Sequence, residues 1–182
     1  MLPVFTTTFD PASPAEIRRI PGYLWETGYK SGAFSTPLFD NDLPAMTAWH
    51  EKGISSSIYS SGSVSAQKLL FGHIRDPASE DPKAVIDRKD LIQMWFDTTN
   101  AGPKTEKGSY ETITRTLRWE KEKEAEAGKV LFLSDNVREV RAALEAGMKA
   151  IVVDRPGNAE LLGWERKEYE VVTSFEQIRL GL

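Results

Sequence analysis

Two serines, a lysine and an aspartate stand where this sequence could most readily do chemistry. They are Ser60-Ser61 in the run Ser60-Ser61-Gly62-Ser63, Lys104 after Gly102-Pro103, and Asp135 after the apolar run Lys129 to Leu133. Hydroxyls, together with the backbone N–H groups of a glycine-containing turn at a helix start, can hold phosphate oxygens. A lysine can neutralise their charge, and a carboxylate can hold Mg2+ through oxygen. The set suits a phosphate ester of a small molecule. Each residue also has a plainer reading. Ser60 and Ser61 could cap the next helix, Lys104 could be a solvated loop lysine, and Asp135 could be a helix cap or dipole partner, with Glu139 one turn later on the surface. Order and spacing, rather than any one residue, carry the inference.

The elements around these residues decide whether they can meet. Ile54 to Tyr59 reads as a strand running into the serine turn, and Val64 to Phe71 as the helix that follows. Met94-Trp95-Phe96 reads as a strand ending near Thr98, and Gly108 to Trp119 as a helix that continues into the charged run Glu120 to Glu124, a solvated face. Lys129 to Leu133 is the clearest buried strand. A helix from Val137 to Ala146, Gly147 at its end and a strand from Lys149 to Val153 complete a β-turn-α-β unit. Upstream, Leu43 to Glu51 reads as a helix with Pro44 in its first turn and Gly53 just past its end. Ser13 to Ile20 reads as a helix stopped by Pro21, the aromatic stretch Tyr23 to Tyr29 as a helical hairpin or cap element, and residues 76 to 90 as a surface loop or short helix. Leu2 to Pro14 reads as a strand or a disordered lead-in.

Strands alternating with helices predict an α/β domain with a parallel, doubly wound sheet, which binds ligands at the carboxyl ends of its strands. In such a sheet the serine pair, the lysine and the aspartate share one edge. The chain's 182 residues, 40% of them hydrophobic, suffice for one core. A net charge of −4 gives no footprint for nucleic acid or for a strongly basic membrane-surface protein. The apolar runs are far shorter than the ~20 residues that span a bilayer, and the first residues do not read as a secretory signal. No cysteine is present and His50 and His73 are the only histidines, so any metal must be held by oxygen. The expected partner is a small molecule.

The string from Ile58 to His73 resembles the motif II region of enolase-phosphatase E1, the acireductone synthases of the haloacid-dehalogenase-like hydrolases. Trp95 to Thr99 with Gly102-Pro103-Lys104, Leu131 to Asp135 with Arg138-Glu139, Val152 to Asn158, and Val172 to Phe175 join it in the right order. Gly22 to Trp25, Gly28-Tyr29, Gly32 and Pro37 to Phe39 resemble the end of that family's helical cap. The resemblance covers about residues 16 to 178. It implies a Rossmann-like core over residues 41–182, a cap remnant over 16–40 and a divergent lead-in over 1–15. It also implies the activity: 2,3-diketo-5-methylthiopentyl-1-phosphate is enolised and then dephosphorylated in methionine salvage, with Mg2+, by a monomer of the cytoplasm and the nucleus. By the same resemblance Ser60, Ser61 and Lys104 bind the substrate phosphate, Asp135 is the metal ligand, and Arg155 to Asn158 shape the fold.

One motif of the family is missing. Its chemistry starts from a D-x-E-G-T string at the end of a central first strand, and no such string occurs in these residues. Asp40-Asn41-Asp42 has a D-x-D spacing but follows no hydrophobic strand. Asp10 follows Val4 to Phe9, which could be a strand, but Pro11 and Ala12 stand at the acidic and glycine positions. Asp10 is therefore the remaining candidate nucleophile, and turnover by this chain alone is in question. With the central first strand missing or replaced, three outcomes are open: its neighbours pair directly, Val4 to Phe9 fills the gap, or the fold is marginal.

Overall fold

In the computed structural model, the described residues are 2–5, 22–121 and 127–180. Chain order is β1 (Leu2–Phe5), α1 (Gly22–Lys30), α2 (Asp42–Glu51), β2 (Ser56–Ser60), α3 (Val64–Gly72), β3 (Ile74–Arg75), β4 (Val85–Ile86), β5 (Ile92–Asp97) and α4 (Lys107–Lys121). It continues with β6 (Val130–Ser134), α5 (Val137–Glu145), β7 (Lys149–Val153), α6 (Glu165–Glu168) and β8 (Val171–Val172). Six strands form one sheet in the order β5-β2-β1-β6-β7-β8, every pair parallel. All the strand ends that carry the candidate residues therefore face one edge.

The gap between β2 and β6 is filled by the start of the chain. Val4 pairs with Ser57 on one side and with Phe132 on the other, and Phe5 with Ile58 and Leu133. The strand begins two residues earlier than the expected Val4. Pro3, which has no N–H to give, pairs only towards β6, and the ladder to β2 starts at Val4. The expected helix from Ser13 to Ile20 and the candidate Asp10 lie outside the described residues.

Burial on both faces explains why β6 reads as a continuous apolar run: all five of its residues are buried. Alternation divides them between two layers. Leu131 and Leu133 join Ile58, Ile151 and Val153 in packing against Met46 and Trp49 of α2 and Phe71 of α3. Val130 and Phe132 join Tyr59 and Phe96 in packing against Tyr110, Ile113 and Leu117 of α4 and Ala142 and Ala143 of α5. Residues 76 to 90 depart from the expected loop, because Ile74–Arg75 and Val85–Ile86 pair as a small antiparallel ribbon. Among the described residues no helix is long and apolar enough to cross a membrane.

Candidate functional site

The turn after β2 is built by capping. Ser63, not Ser60 or Ser61, caps α3, its Oγ accepting the Ala66 N–H at 3.3 Å. The cap reading of Ser60 and Ser61 is thereby replaced. Ser60 Oγ accepts the Gly62 N–H at 3.2 Å, which leaves its own O–H as a donor. Ser61 is exposed. Two buried side chains hold this turn against β5. Asp97, the last residue of β5, accepts the Val64 N–H at 3.1 Å through Oδ2 and those of Thr99 and Asn100 at 2.9 and 3.0 Å through Oδ1. Gln67 donates to both Gly62 O and Phe96 O at 2.8 Å. Burial opposes ionisation of Asp97, but the N–H groups of Asn100, Val64 and Thr99 outweigh it and hold the carboxyl below its usual range. Asp97 and Ser63 thus occupy the Val64 and Ala66 amides at the start of α3.

Lys104 is not a solvated loop lysine. Its side chain is only 9% exposed, and Nζ lies 2.8 Å from Oε2 of Glu139, whose side chain is 8% exposed. Glu139 is thus corrected from surface residue to buried partner. Ala142 and Ala143, three and four residues on, share its face of α5 and are buried with it. The same Oε2 accepts the Ser134 hydroxyl at 2.9 Å, and Ser134 directly precedes Asp135. Lys104 therefore connects the loop after β5 to the end of β6.

Asp135 is half-buried. Asn136 performs the capping, accepting the Arg138 N–H at 3.0 Å, so the helix-cap reading of Asp135 falls. Asp135 Oδ2 instead accepts Asn158 Nδ2 at 2.9 Å, while Asn158 Oδ1 accepts the Arg155 N–H at 2.6 Å. Arg155 is buried between the rings of Phe39 and Phe175, 4.8 and 5.0 Å from their centroids, and donates to Thr173 O, Asn41 Oδ1 and Asp42 Oδ1. Asn41 and Asp42 of the Asp40-Asn41-Asp42 string accordingly clamp Arg155. Burial pushes the Asp42 carboxyl up to about 6, against the pull of Arg155 and the Phe39 backbone.

No family model matches the chain. Over 163 residues it is 50% identical to enolase-phosphatase E1 of Sordaria macrospora, covering 89% of this chain and 64% of that protein. The crystal structure of the UTR4 protein of Saccharomyces cerevisiae, 35% identical, superposes with a TM-score of 0.75 over 92% of this chain and 68% of that one.

The chain belongs to the enolase-phosphatase E1 family.

An L-2-haloacid dehalogenase at 14% identity and a TM-score of 0.57, covering 89% of this chain and 63% of that one, shares the haloacid-dehalogenase-like fold alone. The chain spans a little under two thirds of the E1 relatives it matches, 64% of the Sordaria protein and 65% of that from Chaetomium globosum, to which it is 52% identical over 168 residues covering 89% of this chain. Among the described residues, no three acidic or histidine side chains cluster as a metal site would require. At the edge shared with Ser60 and Lys104, Asp97 accepts three backbone N–H groups and Glu139 holds Lys104 and Ser134, while Asp135 accepts Asn158; one such carboxylate by itself does not complete a Mg2+ site.

Proposed function

We propose that this chain binds a phosphorylated small molecule at the carboxyl edge of its sheet, in the manner of an E1 enzyme. Ser60 and Ser61 donate hydroxyl hydrogen bonds to the phosphate, and Lys104 neutralises it. The observation that carries this reading is the buried Lys104, held at that edge by Glu139 and tied through Ser134 to the strand that leads into Asp135. Burial costs an ammonium several kcal/mol unless it is paired, and a loop lysine kept there suits an anionic ligand. The substrate proposed is the diketo-methylthiopentyl phosphate of methionine salvage, enolised and dephosphorylated. Asp135 is the proposed carboxylate for Mg2+, which when bound supplies further charge neutralisation at the phosphate. A monomer in the cytoplasm and nucleus completes the reading.

A second reading, a phosphate-ligand-binding or regulatory homologue without turnover of its own, is favoured by the residues after β1. Phe5 is followed in the sequence by Thr6-Thr7-Thr8, with no D-x-E-G-T string anywhere in these 182 residues and Asp10 the next carboxylate. An aspartyl-phosphate needs a carboxylate nucleophile.

Mg2+-dependent phosphate release from the diketo phosphate, measured on the purified chain and on Asp135→Ala and Asp10→Ala, separates the two. Release that Asp10→Ala abolishes establishes turnover with Asp10 as nucleophile. Binding of the phosphate without release establishes the second reading. Neither release nor binding removes both.

A further inference from the structure

Three hydroxyl groups capture the carbonyls of three consecutive residues in the lysine loop. Tyr59 donates to Gly102 O at 2.6 Å, Ser109 to Pro103 O at 2.7 Å, and Tyr110 to Lys104 O. Tyr59 and Tyr110 are fully buried and Ser109 is 3% exposed. Gly102 O and Lys104 O are thus met by side-chain hydroxyls, while Pro103 O accepts the Glu106 N–H at 3.1 Å as well as the Ser109 hydroxyl. The donors come from two elements. Tyr59 immediately precedes Ser60 in β2, whereas Ser109 and Tyr110 lie in the first turns of α4. Tyr110 stands edge-on to Tyr59 at 5.7 Å and to Phe132 of β6 at 4.8 Å between ring centroids. Burial pushes the Tyr59 phenol up to about 12 and raises that of Tyr110, so both remain protonated donors across the range in which an enzyme works.

These bonds fix the backbone of Lys104, while Glu139 fixes its ammonium. The bond from Tyr59 has a particular geometry: it joins the residue before the serine pair to the residue two before the lysine. A shift of the lysine loop relative to the serine turn must break it. Two long aromatic side chains are an expensive means of satisfying a surface loop, but a direct means of holding two loops in register.

We propose that Tyr59, Ser109 and Tyr110 are positioning residues that set Lys104 against Ser60 and Ser61, so that the anion cradle is assembled before any ligand arrives. The proposal rests on the reading of those three residues as phosphate ligands, and deepens it.

The test uses Tyr59→Phe, Tyr110→Phe and Ser109→Ala, which remove the hydroxyls and leave the packing, with inorganic phosphate as the probe. In phosphate-free protein, NMR relaxation of the Lys104 side chain reports its order directly. It is expected to loosen in Tyr59→Phe and Tyr110→Phe, and unchanged order overturns the proposal. Phosphate affinity, by calorimetry, should weaken about three- to tenfold in each tyrosine variant, the range of one net hydrogen bond. Combined with Lys104→Ala, the tyrosine variants should cost nothing further, since their effect runs through Lys104. A purely structural role gives equal losses with and without Lys104, which sinks the idea. Lys104→Ala binding phosphate as well as the unaltered chain removes the lysine reading itself, and the positioning claim with it. Ser109→Ala, the mildest change, keeps the order measurement decisive should a tyrosine variant fail to fold.

Discussion

Lys104 and Glu139 form an ion pair with both side chains more than nine-tenths buried, Nζ to Oε2 being 2.8 Å. Neither residue can be altered alone without leaving a charge or an acceptor stranded. Removing one partner of such a pair typically costs about 3–5 kcal/mol, while replacing both by apolar residues of similar volume is often neutral or better. Glu139→Ala should therefore fall in that range by urea unfolding. Lys104→Met with Glu139→Leu should recover most of the stability while losing phosphate binding. A Glu139→Ala variant as stable as the unaltered chain would make the pair incidental.

Asp97 joins β5 to the serine turn through the Val64 N–H. Asp97→Asn keeps the shape but loses an ionised acceptor of three backbone N–H groups, and should cost about 2 kcal/mol. Because the Asp97 carboxyl is held below its usual range, its contribution is present above an unfolded value of about 4 and is lost as pH falls. The stability difference between the unaltered chain and Asp97→Asn, measured across acid pH, should narrow on acidification.

Asp42 behaves in the opposite sense. Burial raises its carboxyl to about 6, so the folded chain retains this proton longer than the unfolded one. Its contribution is full below about 4 and is lost as pH rises through the folded value. Denaturation of Asp42→Asn beside the unaltered chain should show the difference falling across that window and flat above it. A difference that grows with pH would mean that Arg155 dominates over burial.

Gly102 has φ +110°, and a Cβ there would stand 2.6 Å from Ser109 Oγ. Gly102→Ala should cost at least roughly 1–2 kcal/mol from backbone strain alone. Adding Ser109→Ala removes the contact with the hydroxyl but not the strain. Thermal unfolding of both variants should show the double less than additive.

Much of the fold was legible because the longer strands announced themselves by length and apolarity: β6 and β7 lie within a residue of their sequence reading, and Gly53 and Gly147 stand at helix ends as expected, with positive φ. The ribbon of β3 and β4 was not, because strands of two residues carry no period. The central position of β1 was one of three outcomes the sequence left open, since Leu2 to Phe5 shows no sign of where it docks until β2 and β6 are seen to flank it. At the site, residue types pointed to Ser60, Ser61, Lys104 and Asp135, but not to their supports. Glu139 reads as surface until its burial beside Ala142 and Ala143 is seen. The carbonyl captures by Tyr59 and Tyr110 depend on contacts distant in sequence.

The placement of β1 has a kinetic consequence. The strand at the middle of the sheet is the first in sequence, and its partners include Phe132, most of the chain away. Closing so long a loop must be achieved before the contacts reward it, which puts folding toward the slow end for small domains, on the order of milliseconds to seconds. Until β1 docks, β2 and β6 present open inner edges, and any transient state in that condition is exposed to edge-to-edge association. Growth temperature and expression rate, rather than equilibrium stability, should then govern how much of this chain is recovered folded.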